Sequence, residues 1–381
     1  MNLKSIMLGA AAAAAAVTGA QAADLPVAPE PVDYVRVCDA FGARFFYIPG
    51  TETCLRVGGR VRVDFYFNDF GDKPNNWNRA GNGTSTRARG YLYLDARTNT
   101  EYGLVRAYTT MIMTRDSGGA SGFDLDKAFI QFGNFTFGRA GSQYDFYTGN
   151  AYGQVGKNWS DTNSWVAAYT AAFGNGVSAT ISLEDGTYRR VGTGFAGHRY
   201  PDLVAALTVD QGWGSAKIMA ALHEARLANA SSKSKMGYGI GAGVTIKLPS
   251  LGKDDTISFQ AQYADGALSY AMGEIDGAQD VVFNAATRAT RTSKAWSLSG
   301  GLYHSWTDTL ASGLDVSYGD VDAPFAGTDF SRWSVSGNLM WTPVAGLEFG
   351  AELGYANVDF SARGRKDKDE LAAMFRVQRT F

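Results

Sequence analysis

From Leu55 the chain reads LRVGGRVRVDFYFND, and alternate residues fall into two lists. Leu55, Val57, Gly59, Val61, Val63, Phe65 and Phe67 form an apolar list; Arg56, Gly58, Arg60, Arg62, Asp64, Tyr66 and Asn68 form a polar one. A period of two predicts a β-strand whose faces meet unlike surroundings. The pattern recurs down the chain. In TISFQAQY, Ile257, Phe259, Ala261 and Tyr263 oppose Thr256, Ser258, Gln260 and Gln262; in RWSVSGNLMW, Trp333, Val335, Leu339 and Trp341 oppose Arg332, Ser334, Ser336, Asn338 and Met340. Sixteen strands are predicted, at 55–68, 86–98, 101–114, 124–133, 134–139, 165–173, 176–184, 202–210, 214–223, 237–248, 255–263, 294–306, 309–318, 331–342, 346–356 and 371–381.

Short connections, such as those near Asn99, Gly133, Gly174 and Pro343, alternate with long ones over 69–85, 115–123, 140–164, 185–201, 224–236, 264–293, 319–330 and 357–370. The long segments are rich in Gly, Asn, Asp and Ser, as loops are. All of them therefore lie at one end of an up-and-down meander. The fold class expected is all-β: a 16-stranded antiparallel transmembrane β-barrel with long extracellular loops and short periplasmic turns. A barrel this wide has a lumen that side chains cannot fill, so the polar list faces inward and the apolar list faces lipid. Ten residues at about 3.3 Å each, tilted by about 40°, span roughly 25 Å, the height of an outer-membrane apolar band. Trp333 and Trp341 on one strand, and Trp296 and Trp306 on another, bracket that band as an aromatic girdle would.

The first residues supply the compartment. After Lys4 comes SIMLGAAAAAAAVTGAQA, an apolar run ending in the small-x-small site Ala20-Gln21-Ala22. This predicts a secretory signal peptide over 1–22, followed by a periplasmic segment over 23–54 and the barrel over 55–381. No later stretch has the roughly 18 apolar residues of a spanning helix. Cys38 and Cys54 are the only cysteines, and an isolated pair in an exported chain predicts a disulfide. The formal net charge of −2 implies no nucleic-acid partner. GTGFAG at Gly192 to Gly197 matches a dinucleotide fingerprint, but it sits in a predicted loop without the strand and helix that the fingerprint needs. His198, His223 and His304 lie in no hydrolase or metalloprotease motif. No cofactor, metal site or catalytic residue is expected, and the chain is read as a non-enzyme.

YVRVCDAFGARFFYIPGTETCLRVGGRVRVD, PDLVAALTVDQGWGSAK and the RVQRTF end resemble the alphaproteobacterial, rhizobial-type general outer-membrane porins over essentially the whole mature chain. The resemblance implies a trimeric, water-filled barrel in the bacterial outer membrane, whose third long loop folds into the lumen. That loop is 140–164 here, entered through FTFGRAGSQYDFYTGNAYG; the acidic PEFGG passage of enterobacterial constriction loops has no clean counterpart. Phe381, an aromatic residue ending an alternating strand, resembles the signal read by the barrel-assembly machinery.

Inward parity on the first three strands selects Arg56, Arg60, Arg62, Arg87, Arg89, Arg97 and Arg106, with only Asp64 and Asp95 as acids. Arg60, Arg62 and Arg106 are expected near mid-strand, with Arg89 somewhat above, and Asp145 and Asp161 on the folded-in loop are the acids expected to face them. Asp145 has the alternative of pinning the loop to the wall. Together these six residues form the expected pore constriction. The function expected is passive diffusion of small hydrophilic solutes and ions; a substrate-specific uptake channel is the alternative, kept open by inward Tyr66, Tyr91, Tyr93 and Tyr108. The partners expected are two further copies of the chain, outer-membrane lipid, lipopolysaccharide and the barrel-assembly machinery.

Overall fold

The structure, a computed structural model, describes residues 36–70, 77–325, 328–361 and 365–381. The predicted signal peptide lies outside these residues. Sixteen long strands form one sheet: β1 Cys54–Phe67, β2 Thr84–Thr100, β3 Gly103–Asp116, β4 Ser121–Phe132, β5 Phe135–Gly141, β6 Asn163–Gly174, β7 Val177–Glu184 and β8 Asp202–Gln211 make the first half. β9 Gly214–Ala225, β10 Lys235–Lys247, β11 Thr256–Asp265, β12 Lys294–Ser305, β13 Leu310–Asp322, β14 Phe330–Val344, β15 Leu347–Phe360 and β16 Lys368–Thr380 make the second. Each strand pairs antiparallel with the next, and β16 pairs back onto β1 from Ala373↔Phe67 to Thr380↔Arg60. The ring is closed, so none of the sixteen is an edge strand. Closure continues one step past β16, where Phe381 and Gly59 exchange two backbone hydrogen bonds of 3.0 and 3.1 Å. Beyond it, Phe46–Tyr47 pairs with Cys54 and Leu55 on the edge that β16 has left. A disulfide joins Cys38 to Cys54 there.

The two lists point as their parity predicts. Val57, Val61, Phe65 and Phe67 are exposed on the outer face, while Asp64 between them is fully covered. The same holds across the barrel, where Leu298, Leu314, Val316 and Leu339 face out, and Gln260, Ser299, Asp315 and Asn338 are buried within. Outward Trp296 contacts Tyr318, Trp333 contacts Tyr355 and Trp341 contacts Phe349, so aromatics cluster toward both ends of the apolar band.

Three local features depart from the expected outline. Several strands run further toward the long loops than the apolar alternation does: β13 reaches Asp322 and β15 reaches Phe360, because ladder pairs such as Lys294↔Asp322 need no apolar side chain. The loop expected over 115–123 shrinks to 117–120, shorter than the turn over 248–255 at the other end. The turn predicted near Pro343 falls two residues on, at Ala345 and Gly346, and Pro343 itself sits in a register shift between Trp341 and Val344 of β14, a place where a residue without an N–H is tolerated.

The lumen is not wet throughout. Tyr144 from the loop after β5 and Leu268, Tyr270 and Met272 from the loop after β11 pack on inward Met219, Val204, Val321, Phe330 and Val358, forming a dry core inside the barrel. The loop after β11 also carries a hairpin of its own, Val281–Asn284 with Ala289–Thr292. Bulk inside the wall is thus supplied by loops, and they cover only part of it.

Candidate functional site

The lumen surface of β1, β2, β3 and β16 is basic. Register places Arg62 opposite Arg89, and Arg60 opposite Tyr91. The three guanidiniums converge on Tyr91: Arg60 lies 4.0 Å and Arg62 5.5 Å from its ring centre, and Arg89 donates to its hydroxyl at 3.4 Å. Stacking on a ring face lowers the cost of crowding like charges. Arg89 also donates to Thr114 at 3.1 Å. Asp64 is shared by Arg376, hydrogen-bonded at 2.7 Å, and Arg62, whose Nε approaches to 3.1 Å without an aligned bond. Asp116 takes both arms of Arg87 at 2.6 and 3.0 Å. Five arginines against two aspartates leave this wall with an excess of three positive charges.

Arg106 stands apart from that group. It lies three residues from the turn between Thr100 and Gly103, opposite Arg97, and grips Asp95 at 2.8 and 3.0 Å. Arg56 and Arg97 hold the same carboxylate, and both guanidiniums lie about 5 Å from the ring of Phe45 in the disulfide segment. Arg106 therefore belongs to a cluster at the short-turn end, below Arg60, Arg62 and Arg89.

The loop over 142–162 crosses the interior and is bonded to the opposite wall. Asp315 of β13 accepts from the Tyr147 hydroxyl and from the backbone N–H groups of Asn150 and Ala151 at 2.8–3.0 Å. Glu352 of β15 accepts from the N–H groups of Tyr152 and Gln154, and Glu348 from the Tyr152 hydroxyl. Glycines provide the room. A Cβ on Gly301 would overlap the Tyr147 hydroxyl, one on Gly350 the Tyr152 hydroxyl and one on Gly243 the Phe146 ring.

Asp145 and Asp161 are at different places on this loop. Asp145 accepts from Ser160, from the Thr162 N–H at 2.6 Å and from the fully buried Arg189 at 3.0 Å. Its carboxylate closes the base of the loop and points away from the arginine wall. Asp161 is half exposed, pairs with Lys157 at 3.5 Å and lines a cavity of about 540 Å³ on the long-loop side. What faces the arginines is the stretch Tyr152–Gln154. A cavity of about 550 Å³ separates it from Arg62, Arg87 and Arg89, and the Arg376 guanidinium stacks on the Tyr152 ring at 3.9 Å. Arg376 comes from the last strand, and parity in MFRVQRTF places it inward with the arginines of the first three. Nothing local in the sequence marks Tyr152.

Behind the loop lies a buried polar cluster. His223 is 2.9 Å from both oxygens of Asp202, which also accepts from Tyr270 at 2.7 Å, and Asp280 stands 3.9 Å from the other ring nitrogen. Burial pushes the Asp280 carboxyl up to about 6, against the pull of His223 and of the Val191 and Leu268 N–H groups. The contacts tie the loops after β7 and β11 to one another and to β8 and β9. Among the described residues, no set of three or more His, Cys, Asp or Glu is placed to hold a metal ion. The GTGFAG stretch lies in the loop between β7 and β8, with no helix after it.

A closed sixteen-stranded barrel, apolar outside, charged inside and narrowed by an inserted loop, defines a membrane-spanning channel fold. A family model described as "Porin subfamily" matches residues 24–378, and the chain belongs to that family. Porin Omp2b of Brucella suis is 39% identical over 239 residues, covering 56% of this chain and 64% of that protein, so the match spans less than two thirds of the relative's length. The outer-membrane channel DcaP of Acinetobacter baumannii superposes with a TM-score of 0.74 at 16% identity, covering 88% of this chain and 99% of that one. OmpT of Vibrio cholerae, an outer-membrane protein solved in a trimer form, gives 0.54 at 9% identity, covering 87% and 100%. At these identities the two structures speak to the fold. The chain is an outer-membrane β-barrel.

Proposed function

We propose that the protein is a passive diffusion channel for small hydrophilic solutes and ions, with its narrowest zone between Arg62 and Arg89 on the wall and Tyr152–Gln154 on the inserted loop. The observation that carries this is the open gap of about 550 Å³ between two fixed polar surfaces, one of them basic. Arg60 extends the basic side downward, Arg106 guards the short-turn mouth, and Asp161 stands at the long-loop entrance. Asp145 acts as a staple that sets how far the loop projects. The long loops are extracellular and the short turns periplasmic, with the disulfide segment at the periplasmic rim. The field of the wall arginines reaches about one Debye length, roughly 8 Å, in physiological salt, so polar solutes are oriented and apolar ones impeded.

The channel works as a homotrimer. The outward face beside the β1–β16 seam is small and aliphatic at Val57, Val61 and Ala373, which suits packing against a second barrel, and OmpT shares the fold in a trimer form. Reconstitution into planar bilayers tests the function: stepwise, ohmic conductance is expected, and a protein that inserts without conducting overturns it. A substrate-specific pore is the second reading, favoured by the inward tyrosines, of which Tyr91 and Tyr93 lie 6.3 Å apart. Saturation of the current at millimolar solute would select it.

A further inference from the structure

Above the inserted loop, Arg332 at the start of β14 is a second charged feature of the lumen. Its side chain is 7% exposed, yet the guanidinium donates no hydrogen bond among the described residues. The Asp276 carboxylate stands 3.6 Å away and that of Glu370 3.9 Å, both too far for hydrogen bonds. A buried guanidinium normally uses its fork of donors. Here the group borders two cavities, of about 540 and 240 Å³, that also share Asp276 and Glu370. Gly156 lets the inserted loop lie over it, since a Cβ there would collide with Arg332 and with Glu274.

The charge around this arginine is of the other sign. The residues lining the two cavities include six carboxylates and three cations. Of the cations, Lys157 is engaged by Asp161 and Lys368 by Asp276, at 3.5 and 3.4 Å. The carboxylates are spread around the space, and no set of three is placed to hold a metal ion. The ligand that suits this arrangement is an organic cation that also carries an acceptor for Arg332.

We propose that this pocket is a solute subsite for zwitterions, with a carboxylate on the open edge of Arg332 and an ammonium among Glu274, Asp276 and Glu370. The solute class is free amino acids and short peptides. The inference rests on the channel reading, because the pocket lies inside the barrel, between the inserted loop and the wall of β14 and β16.

The test uses single channels of the full barrel in planar bilayers, with L-lysine and its decarboxylated counterpart cadaverine as blockers. A simple acidic field retains the doubly charged cadaverine more strongly. A site with an arginine for the carboxylate retains lysine more strongly, by about fivefold given a charge-assisted hydrogen bond discounted for water. In Arg332→Gln the preference is expected to reverse. Glu274→Gln, at an exposed loop position, is expected to weaken both blockers and supplies a second variant if Arg332→Gln misfolds. Equal block, or stronger block by cadaverine in the unaltered protein, overturns the proposal. Normal conductance without any lysine block also overturns it and leaves the channel reading standing; absence of conductance overturns both.

Discussion

Replacing Arg89 by Ser, beside an outward control on the neighbouring strand, separates the two faces of the barrel wall. Arg89 is a clean charge to remove: it is bound to Thr114 and Tyr91, so no carboxylate loses its partner. It borders the cavity facing Tyr152 and Gln154. An ion passing about 7 Å from that charge feels about 0.6 kcal/mol at the dielectric constant of water, and about 0.25 kcal/mol after screening over a Debye length of about 8 Å. The effect has opposite signs for cation and anion, so the permeability ratio changes by about 0.5 kcal/mol, or roughly twofold; a lower dielectric in a narrow gap raises this to about fourfold. The control is Val61→Ser, whose site lies opposite Gly90 on the neighbouring strand and is 53% exposed on the outer face. Reversal potentials across a salt gradient, recorded on single channels, report both. Arg89→Ser is expected to shift toward cations, and Val61→Ser to stay at the starting value. An equal shift in the two, or none in Arg89→Ser, refutes the placement of the narrow zone.

Four further outcomes are expected. Gly350→Val drives a side chain into Tyr152 and displaces the inserted loop, so conductance rises and becomes noisy while the barrel still folds, as heat-resistant migration on gels would report. Replacing Cys54 by Ser opens the bridge to Cys38, a separation of 16 residues, and costs about 3 kcal/mol in unfolding experiments without closing the pore. Asp280 has a raised pKa of about 6, so its contribution is full below about pH 4, where the carboxyl is neutral folded and unfolded alike, and is lost as pH rises through 6. Relative to Asp280→Asn, the unaltered protein gives up about 2–3 kcal/mol between those limits, which melting across that pH range measures. Leu298→Arg places a charge in the apolar band on a residue 53% exposed to lipid and destabilises by about 2–4 kcal/mol, read by denaturant titration in lipid vesicles.

Period-two alternation was enough to locate all sixteen strands, because each has one face against lipid and one against a polar interior. It also oriented Arg60, Arg62 and Arg89 without any knowledge of depth. Depth is less legible: a strand over 101–114 puts Arg106 near its middle, but the turn at Thr100–Gly103 leaves it near the short-turn mouth. The interior contacts of the loops were not legible at all. Gly301 and Gly350 look like ordinary barrel glycines, and only the path of the loop gives them tyrosines to accommodate. Arg332 was assigned to the inward face by parity, but its company of Asp276 and Glu370 is drawn from segments far apart in the chain. Such contacts carry no periodicity, so the buried core of Tyr144, Tyr270 and Met272 was hidden in segments that read as polar loops.

The seam between β1 and β16 sets an order of events for biogenesis. Asp64 and Arg376, bonded at 2.7 Å, are 312 residues apart. Joining such ends costs about 5 kcal/mol of chain entropy before any further constant, and nothing repays it until both strands are present. The nascent chain must therefore carry two unpaired, apolar strand edges across an aqueous compartment for as long as the remaining strands take to arrive, with neither half of the sheet able to close alone. An accessory factor that shields those edges, or a membrane that accepts the strands as they come, is a requirement of the topology itself. Slow folding and misassembly should follow from any change that delays the last pairing, even one that leaves the finished barrel unaltered.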